Sequence, residues 1–133
     1  ADAMFADVDA QGADVLIIPG GTTAFDDHEG LKKEVVARAE ADKYVAAICA
    51  APMVLGGLGL LKGKNATCYP GFEKYCEGAV ILDAPAVVDG KIITGHGPGW
   101  ALEFALSILA EVVSVEKSAE VRSGLLLDGP NVP

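Results

Sequence analysis

The sequence predicts an α/β domain: a doubly wound sandwich with a mostly parallel sheet and an appended β-hairpin. Three observations lead there. First, the continuous apolar runs Asp14–Ile18 and Tyr44–Ile48 end abruptly in small-residue turns, the pattern of strands buried on both faces of a parallel sheet. Second, these runs alternate with segments of helical periodicity, as strand and crossover do in α/β folds. Third, Asp89-Gly90 lies between two further apolar runs, which is a strong hairpin signal. At 133 residues and 51% hydrophobic composition the chain suits one globular domain, residues 1–133.

The elements follow in order. Asp14–Ile18 is the first strand and is closed by Pro19-Gly20-Gly21. Leu31, Val35 and Ala39 then recur at helical spacing, with Lys32, Lys33, Glu34, Arg38 and Glu40 on the other side, so an amphipathic helix is predicted over roughly 29–41. An N-capping aspartate from Asp26-Asp27 is expected to start it. Tyr44–Ile48 is the second strand; Cys49-Ala50-Ala51-Pro52 turns into a short apolar helix that stops in the Gly-rich segment 59–63. Asn65–Tyr69 reads as a third strand before Pro70-Gly71, and residues 86–94 form the hairpin. Gly97-Pro98-Gly99 launches a helix over 100–113. Its polar residues Glu103, Ser107 and Glu111 fall four apart, so burial on most of its sides is predicted. A last helix over 116–127 precedes a Pro-containing tail.

Charge and cysteine content exclude several classes of partner. Nineteen acidic residues against ten basic ones give a net charge of -9 with no basic run, a poor match for nucleic acid or an anionic membrane. The longest uncharged stretch, 44–61, contains Pro52, Gly56, Gly57 and Gly59 and reads as buried strand plus helix, not a membrane span. Three cysteines, an odd number, with no signal-like start, favour a reducing, cytoplasmic location.

Sites in such folds lie beyond the carboxyl ends of the strands, where two turns fall: Gly20-Gly21 and Cys49-Ala50. Cys49 stands between strand and helix with Ala46, Ala47, Ala50 and Ala51 around it and Pro52 in the first helical turn. A nucleophile elbow needs this arrangement, because a tight strand-to-helix turn accepts only small neighbours while exposing its central side chain. The helix N-terminus adds positive potential beside the sulfur. The backbone N–H groups of Ala50 and Gly21 are placed to form an oxyanion hole. Free cysteines are usually small buried hydrophobes, and Cys68 and Cys76, lacking an elbow context, are read that way. Of the two histidines, His96 falls on the same carboxyl rim as Cys49, as a base or as a lining group together with Gly97 and Pro98. His28 lies among adjacent acidic residues that cannot all face one ion, so no metal site is predicted. The glycine-rich pieces match no phosphate-binding fingerprint, and no cofactor is inferred.

Taken together, Asp14-Val-Leu-Ile-Ile-Pro-Gly-Gly21, Ala46-Ala-Ile-Cys-Ala-Ala-Pro52, Ala66-Thr-Cys-Tyr-Pro-Gly71 and Thr94-Gly-His-Gly-Pro-Gly99 resemble the ThiJ/PfpI superfamily. The resemblance is to the branch of the parkinsonism-associated protein and its bacterial relatives, and it runs from about Asp14 to Leu127. It implies a flavodoxin-like sandwich, a homodimer, and an oxidisable elbow cysteine at Cys49. The activities it implies are cofactor-free glyoxalase or deglycase chemistry on small carbonyls of the methylglyoxal type, or redox-linked chaperone behaviour. Proteases of the superfamily carry a histidine after the cysteine; Ala50 stands there, which disfavours a peptidase. Tyr69 replaces a histidine frequent in the family and is expected to line the pocket with Gly20, and His96 stands where many relatives have arginine or glutamine. The family's first β-α-β segment, which carries an acidic partner of the cysteine, has no match in this chain, so a complementing N-terminal fragment is expected, along with apolar strand edges where its strand is lacking.

Two functions follow from these readings. In the first, Cys49 attacks a 2-oxoaldehyde and Gly21 and Ala50 hold the oxyanion. In the second, Cys49 is a non-enzymatic redox sensor whose oxidation alters partner binding.

Overall fold

The apolar runs pair as a four-stranded sheet in the order β1-β2-β6-β5. The computed structural model describes Phe5 and residues 12–127. Strands β1 (Val15–Ile18), β2 (Tyr44–Ile48) and β6 (Ile92–Gly95) are parallel, and β5 (Ala86–Asp89) runs antiparallel to β6. The β5–β6 hairpin turns through Gly90, whose φ of +62° suits a tight two-residue connection. A small parallel pair, β3 (Asn65–Ala66) with β4 (Val80–Ile81), stands apart from this sheet.

Side chains alternate across the sheet, and each face has its own core. On one face Ile18, Val45, Ala47 and Ile92 pack with Leu31 and Val35 of α1 (Glu29–Glu40) and Leu55 of α2 (Pro52–Gly57). On the other, Ala46 and Ile93 meet Phe104 and Ile108 of α3 (Ala101–Val112). Helix α4 (Val115–Gly124) packs outside α3 and buries no residue fully. Helices on both faces of a mostly parallel sheet make the doubly wound α/β sandwich that the pattern predicts, of the flavodoxin type that the resemblance implies.

Several local expectations change. The predicted third strand shrinks to Asn65–Ala66. Beyond it the Thr67 N–H takes the Thr94 hydroxyl (2.9 Å) and the Tyr69 N–H takes the Cys49 carbonyl (2.8 Å), so the segment crosses the strand ends instead of extending a ladder. The N-cap of α1 is His28, not an aspartate: its Nδ1 accepts from the Leu31 N–H at 2.9 Å. Arg38 lies inside, 1% exposed, because it continues the Leu31 and Val35 stripe; it donates from Nε to Tyr44 O and from Nη1 to Ala13 O, both at 3.0 Å. Helix α3 buries Phe104, Leu106 and Ile108 but leaves Leu102 exposed, as is Val113 just past its end, because only one of its faces meets the sheet. Among the described residues β1 is the outermost strand of the sheet, with β2 directly beside it and no gap between them. Ile17 of β1, on the same face as Ala46 but beyond the reach of α3, is 48% exposed. The tail after Leu127 lies outside the described residues. Among the described residues no helix is long and apolar enough to cross a membrane.

Candidate active site

Strand β2 ends at Ile48 and α2 starts at Pro52, so the chain must turn sharply in three residues. Cys49 makes that turn with φ +67°, the left-handed region that a side-chain-bearing residue occupies at a cost of about 1–2 kcal/mol. Three backbone hydrogen bonds hold it there: Cys49 N–H to Gly95 O (3.0 Å), Tyr69 N–H to Cys49 O (2.8 Å) and Ala51 N–H to Ile48 O (3.1 Å). Pro52 opens α2 with a preset φ and no N–H to leave unpaired. Because α2 is a short helix, the positive potential near the sulfur comes from the N–H groups of its first turn rather than from a long dipole.

Gly20, just beyond β1, packs against the elbow. A β-carbon there would lie 2.5 Å from Cys49 Cβ, 3.2 Å from its Sγ and 3.1 Å from Ile48 O, so only glycine lets the two turns approach this closely. The half-buried Cys49 lies between two small clefts. One, about 220 Å³, is lined by Gly20, Gly21, Ile48, Cys49, Pro98 and Ala101. The other, about 450 Å³, has Gly21, Thr22, Thr23, Cys49, Ala50, Tyr69 and Phe72 in its wall. Neither the Gly21 nor the Ala50 N–H donates to a backbone carbonyl, so both remain available beside the sulfur. No carboxylate lines either cleft among the described residues.

The residues singled out from sequence therefore separate into two groups. Gly20, Gly21, Ala50, Tyr69 and Pro98 share cleft walls with Cys49, and Gly97 packs against the Tyr69 ring, where an added β-carbon would lie 3.4 Å from Cδ2. His96 lines neither cleft; its Nδ1 is 3.1 Å from the Thr67 hydroxyl and its N–H donates to Pro85 O. Thr22, Thr23 and Phe72 escaped the sequence reading. The threonines follow the Pro-Gly-Gly turn directly, which is the one signal that marks them. Thr67, fully buried, carried no signal, because its role is to link β6 to His96.

The other two thiols lie beneath this site. Cys68 and Cys76, each 2% exposed, join the same core cluster. The neighbouring Cys76 thiol raises Cys68 above its ordinary value, with burial adding to the rise, and Cys68 in turn lowers Cys76, with burial opposing. Among the described residues no group of three or more His, Cys, Asp or Glu is placed to hold a metal ion.

Comparison with known proteins bears on this geometry. The DJ-1/PfpI family model matches residues 1–111. The chain is 37% identical to Protein DJ-1 homolog B of Arabidopsis thaliana over 98% of its own length and 31% of the relative's. It is 30% identical to Glutathione-independent glyoxalase DJR-1.2 of Caenorhabditis elegans, covering 95% of this chain and 69% of that one. An isonitrile hydratase of Pseudomonas putida is 32% identical over 82% of this chain and 50% of its own length. Among solved structures, Drosophila melanogaster DJ-1beta superposes with a TM-score of 0.79 at 37% identity, covering 85% of this chain and 63% of that one. The chain spans about a third of the length of the Arabidopsis relative and under two thirds of the Drosophila structure.

Proposed function

The chain belongs to the DJ-1/PfpI family, and from that premise we propose that it converts small 2-oxoaldehydes of the methylglyoxal type to 2-hydroxy acids, without a cofactor, through Cys49. The observation that carries this reading is the left-handed Cys49 elbow with two free N–H groups, Gly21 and Ala50, in the wall of the same cleft. The Cys49 thiolate adds to the aldehyde carbon; the carbonyl pair moves to oxygen, and the Gly21 and Ala50 N–H groups stabilise the resulting alkoxide. Hydrogen transfer from the former aldehyde carbon to the neighbouring carbonyl carbon leaves a thioester. Water then cleaves the C–S bond, releasing the hydroxy acid and restoring the thiol. That one relative is named a glutathione-independent glyoxalase supports the substrate class. Loss of methylglyoxal turnover in Cys49→Ser is the expected result; undiminished turnover would refute the proposal.

Hydrogen transfer needs a base, and the described walls of the clefts offer no carboxylate. We propose that a complementing N-terminal segment docks along β1 and supplies it. The outer edge of β1, which pairs with no strand among the described residues, its exposed Ile17 and the greater length of the relatives support this assignment. Denaturing mass spectrometry of a native, active sample should then show that segment as a second chain or as added mass, and activity from the 133 residues alone would rule it out. Self-association as a homodimer is proposed on the exposed apolar side chains of Trp100, Leu102 and Val113, and light scattering at micromolar concentration tests it.

A further inference from the structure

The Gly21 and Ala50 N–H groups both lie in the wall of the larger cleft, whereas Ala50 is absent from the lining of the smaller one. An alkoxide held by that pair therefore sets the rest of the substrate in the larger cleft. What it meets there is aromatic. Tyr69 and Phe72 stand in the wall beside Thr22 and Thr23, with their rings edge to face at 6.4 Å and an interplanar angle of 69°. Both rings are held from behind. The Tyr69 N–H donates to Cys49 O at 2.8 Å, and a β-carbon on Gly97 would lie 3.4 Å from Tyr69 Cδ2 and 3.8 Å from Cε2. The Phe72 N–H donates to Tyr69 O at 3.0 Å, and its side chain packs against the core. Tyr69 is still 44% exposed, so part of its ring is open to a guest. Among the described residues this wall has no Asp, Glu, Lys, Arg or His, so nothing in it pairs with a charged substituent. The volume of about 450 Å³ falls within the range of about 300–1,000 Å³ of sites that hold drug-sized organic molecules, and methylglyoxal, whose substituent is a single methyl group, leaves most of it empty.

Resting on the glyoxalase reading above, we propose that the preferred substrates are aryl 2-oxoaldehydes of the phenylglyoxal type, and that Tyr69 and Phe72 select them by receiving the aryl ring. The guest ring becomes a third member of the edge-to-face cluster, and each aromatic pair of this kind favours an aromatic ring over a saturated one by about 2–10-fold. The chemistry is that of the smaller aldehydes. Sulfur adds to the aldehyde carbon, the hydrogen of that carbon passes to the benzylic carbonyl carbon, and water cleaves the thioester. Phenylglyoxal and one water leave as mandelic acid, the thiol is restored, and no oxidant or reductant is consumed.

The test compares kcat/KM for phenylglyoxal and cyclohexylglyoxal, ring substituents of similar size with and without a π face, in the native active protein and its Tyr69→Leu, Tyr69→Phe and Phe72→Leu variants. Intrinsic reactivity cancels when the ratio of the two substrates is compared between proteins. The phenyl-to-cyclohexyl ratio should fall about 2–10-fold in Y69L and in F72L and should hold in Y69F, which keeps the ring. An unchanged ratio in Y69L and F72L, or an equal loss in Y69F, would overturn the proposal. A second measurement needs no turnover: acetophenone and cyclohexyl methyl ketone are compared as protectants of Cys49 against iodoacetamide, mapped by peptide. The advantage of acetophenone should be about 2–10-fold greater in the wild-type chain than in Y69L. Absence of turnover of any 2-oxoaldehyde, with that protection present, would overturn the glyoxalase reading while supporting the aryl-binding role of the cleft. Turnover of methylglyoxal with no ring preference in either measurement would overturn the aryl proposal alone.

Discussion

Replacing Gly20 by alanine tests whether the approach of the two turns sets the reactivity of Cys49. Carbon atoms rest at about 3.5–4.0 Å, whereas the new β-carbon would lie 2.5 Å from Cys49 Cβ and 3.2 Å from Sγ. Something must move by about 1 Å. Cys49 is held by three backbone hydrogen bonds, so the Gly20 turn or the sulfur rotamer gives way. Crowding of this kind costs about 1–3 kcal/mol of stability, and a displacement of about 1 Å at a reacting centre costs about 100-fold in rate. Two controls isolate the cause. Gly21→Ala meets no atom within 4 Å but is strained at φ +89°, so it should destabilise by about 1–2 kcal/mol without crowding the thiol. Gly99→Ala meets open space with no such φ and should be neutral. The assays are the rate of iodoacetamide labelling at Cys49, mapped by peptide, and the urea midpoint. If G20A labels and unfolds like G99A, the close approach does not matter and the reasoning fails.

Other expectations follow from the same structure. Arg38→Met removes the donors to Tyr44 O and Ala13 O and should cost about 2–4 kcal/mol in urea unfolding; a loss below the error of that measurement would show the guanidinium to be dispensable. Gly56→Ala would set a β-carbon against Tyr75 O inside the fold and should cost about 3 kcal/mol or more, while Gly124→Ala, in open space near a helix end, should be neutral or slightly stabilising by thermal melting. Thr67→Val removes the hydroxyl that meets His96 Nδ1 and should lower stability by about 1–2 kcal/mol. It should also shift the His96 ring resonances in an NMR spectrum at fixed pH, and unchanged resonances would break that link.

What the sequence made legible depended on local grammar. The strands β1 and β2, the Asp89-Gly90 hairpin and the Cys49 turn each carry their signal within a few residues: an apolar run, a turn dipeptide, a cysteine among alanines. What stayed hidden was set by partners distant in the chain. Arg38 reads as surface because it is charged, yet the stripe of Leu31 and Val35 carries it inward to carbonyls whose positions only the fold defines. Cys68 and Cys76 read as buried hydrophobes, but nothing local reveals that they join one core cluster with Leu55 of the elbow helix. The Asn65–Tyr69 run looks like a strand because its composition is right. A hydroxyl from β6 and a carbonyl from the elbow take its N–H groups instead.

The Arg38 clasp has a bearing on the opposite end of the molecule. It ties the approach to β1, at Ala13, to the start of β2, at Tyr44, and these two strands then run side by side in the register Val15↔Tyr44 through Ile18↔Ala47. Parallel strands behave as rulers: an offset set at one end is delivered at the other. A slip of one residue is about 3.3 Å and turns each side chain to the other face. At the carboxyl rim that slip would bring Pro19 or Gly21 to the place of Gly20 against Cys49, closing the clearance that admits the sulfur or moving the open N–H out of reach. The dimensional tolerance of the reactive centre is thus written at the far edge of the sheet, in a side chain that never approaches it.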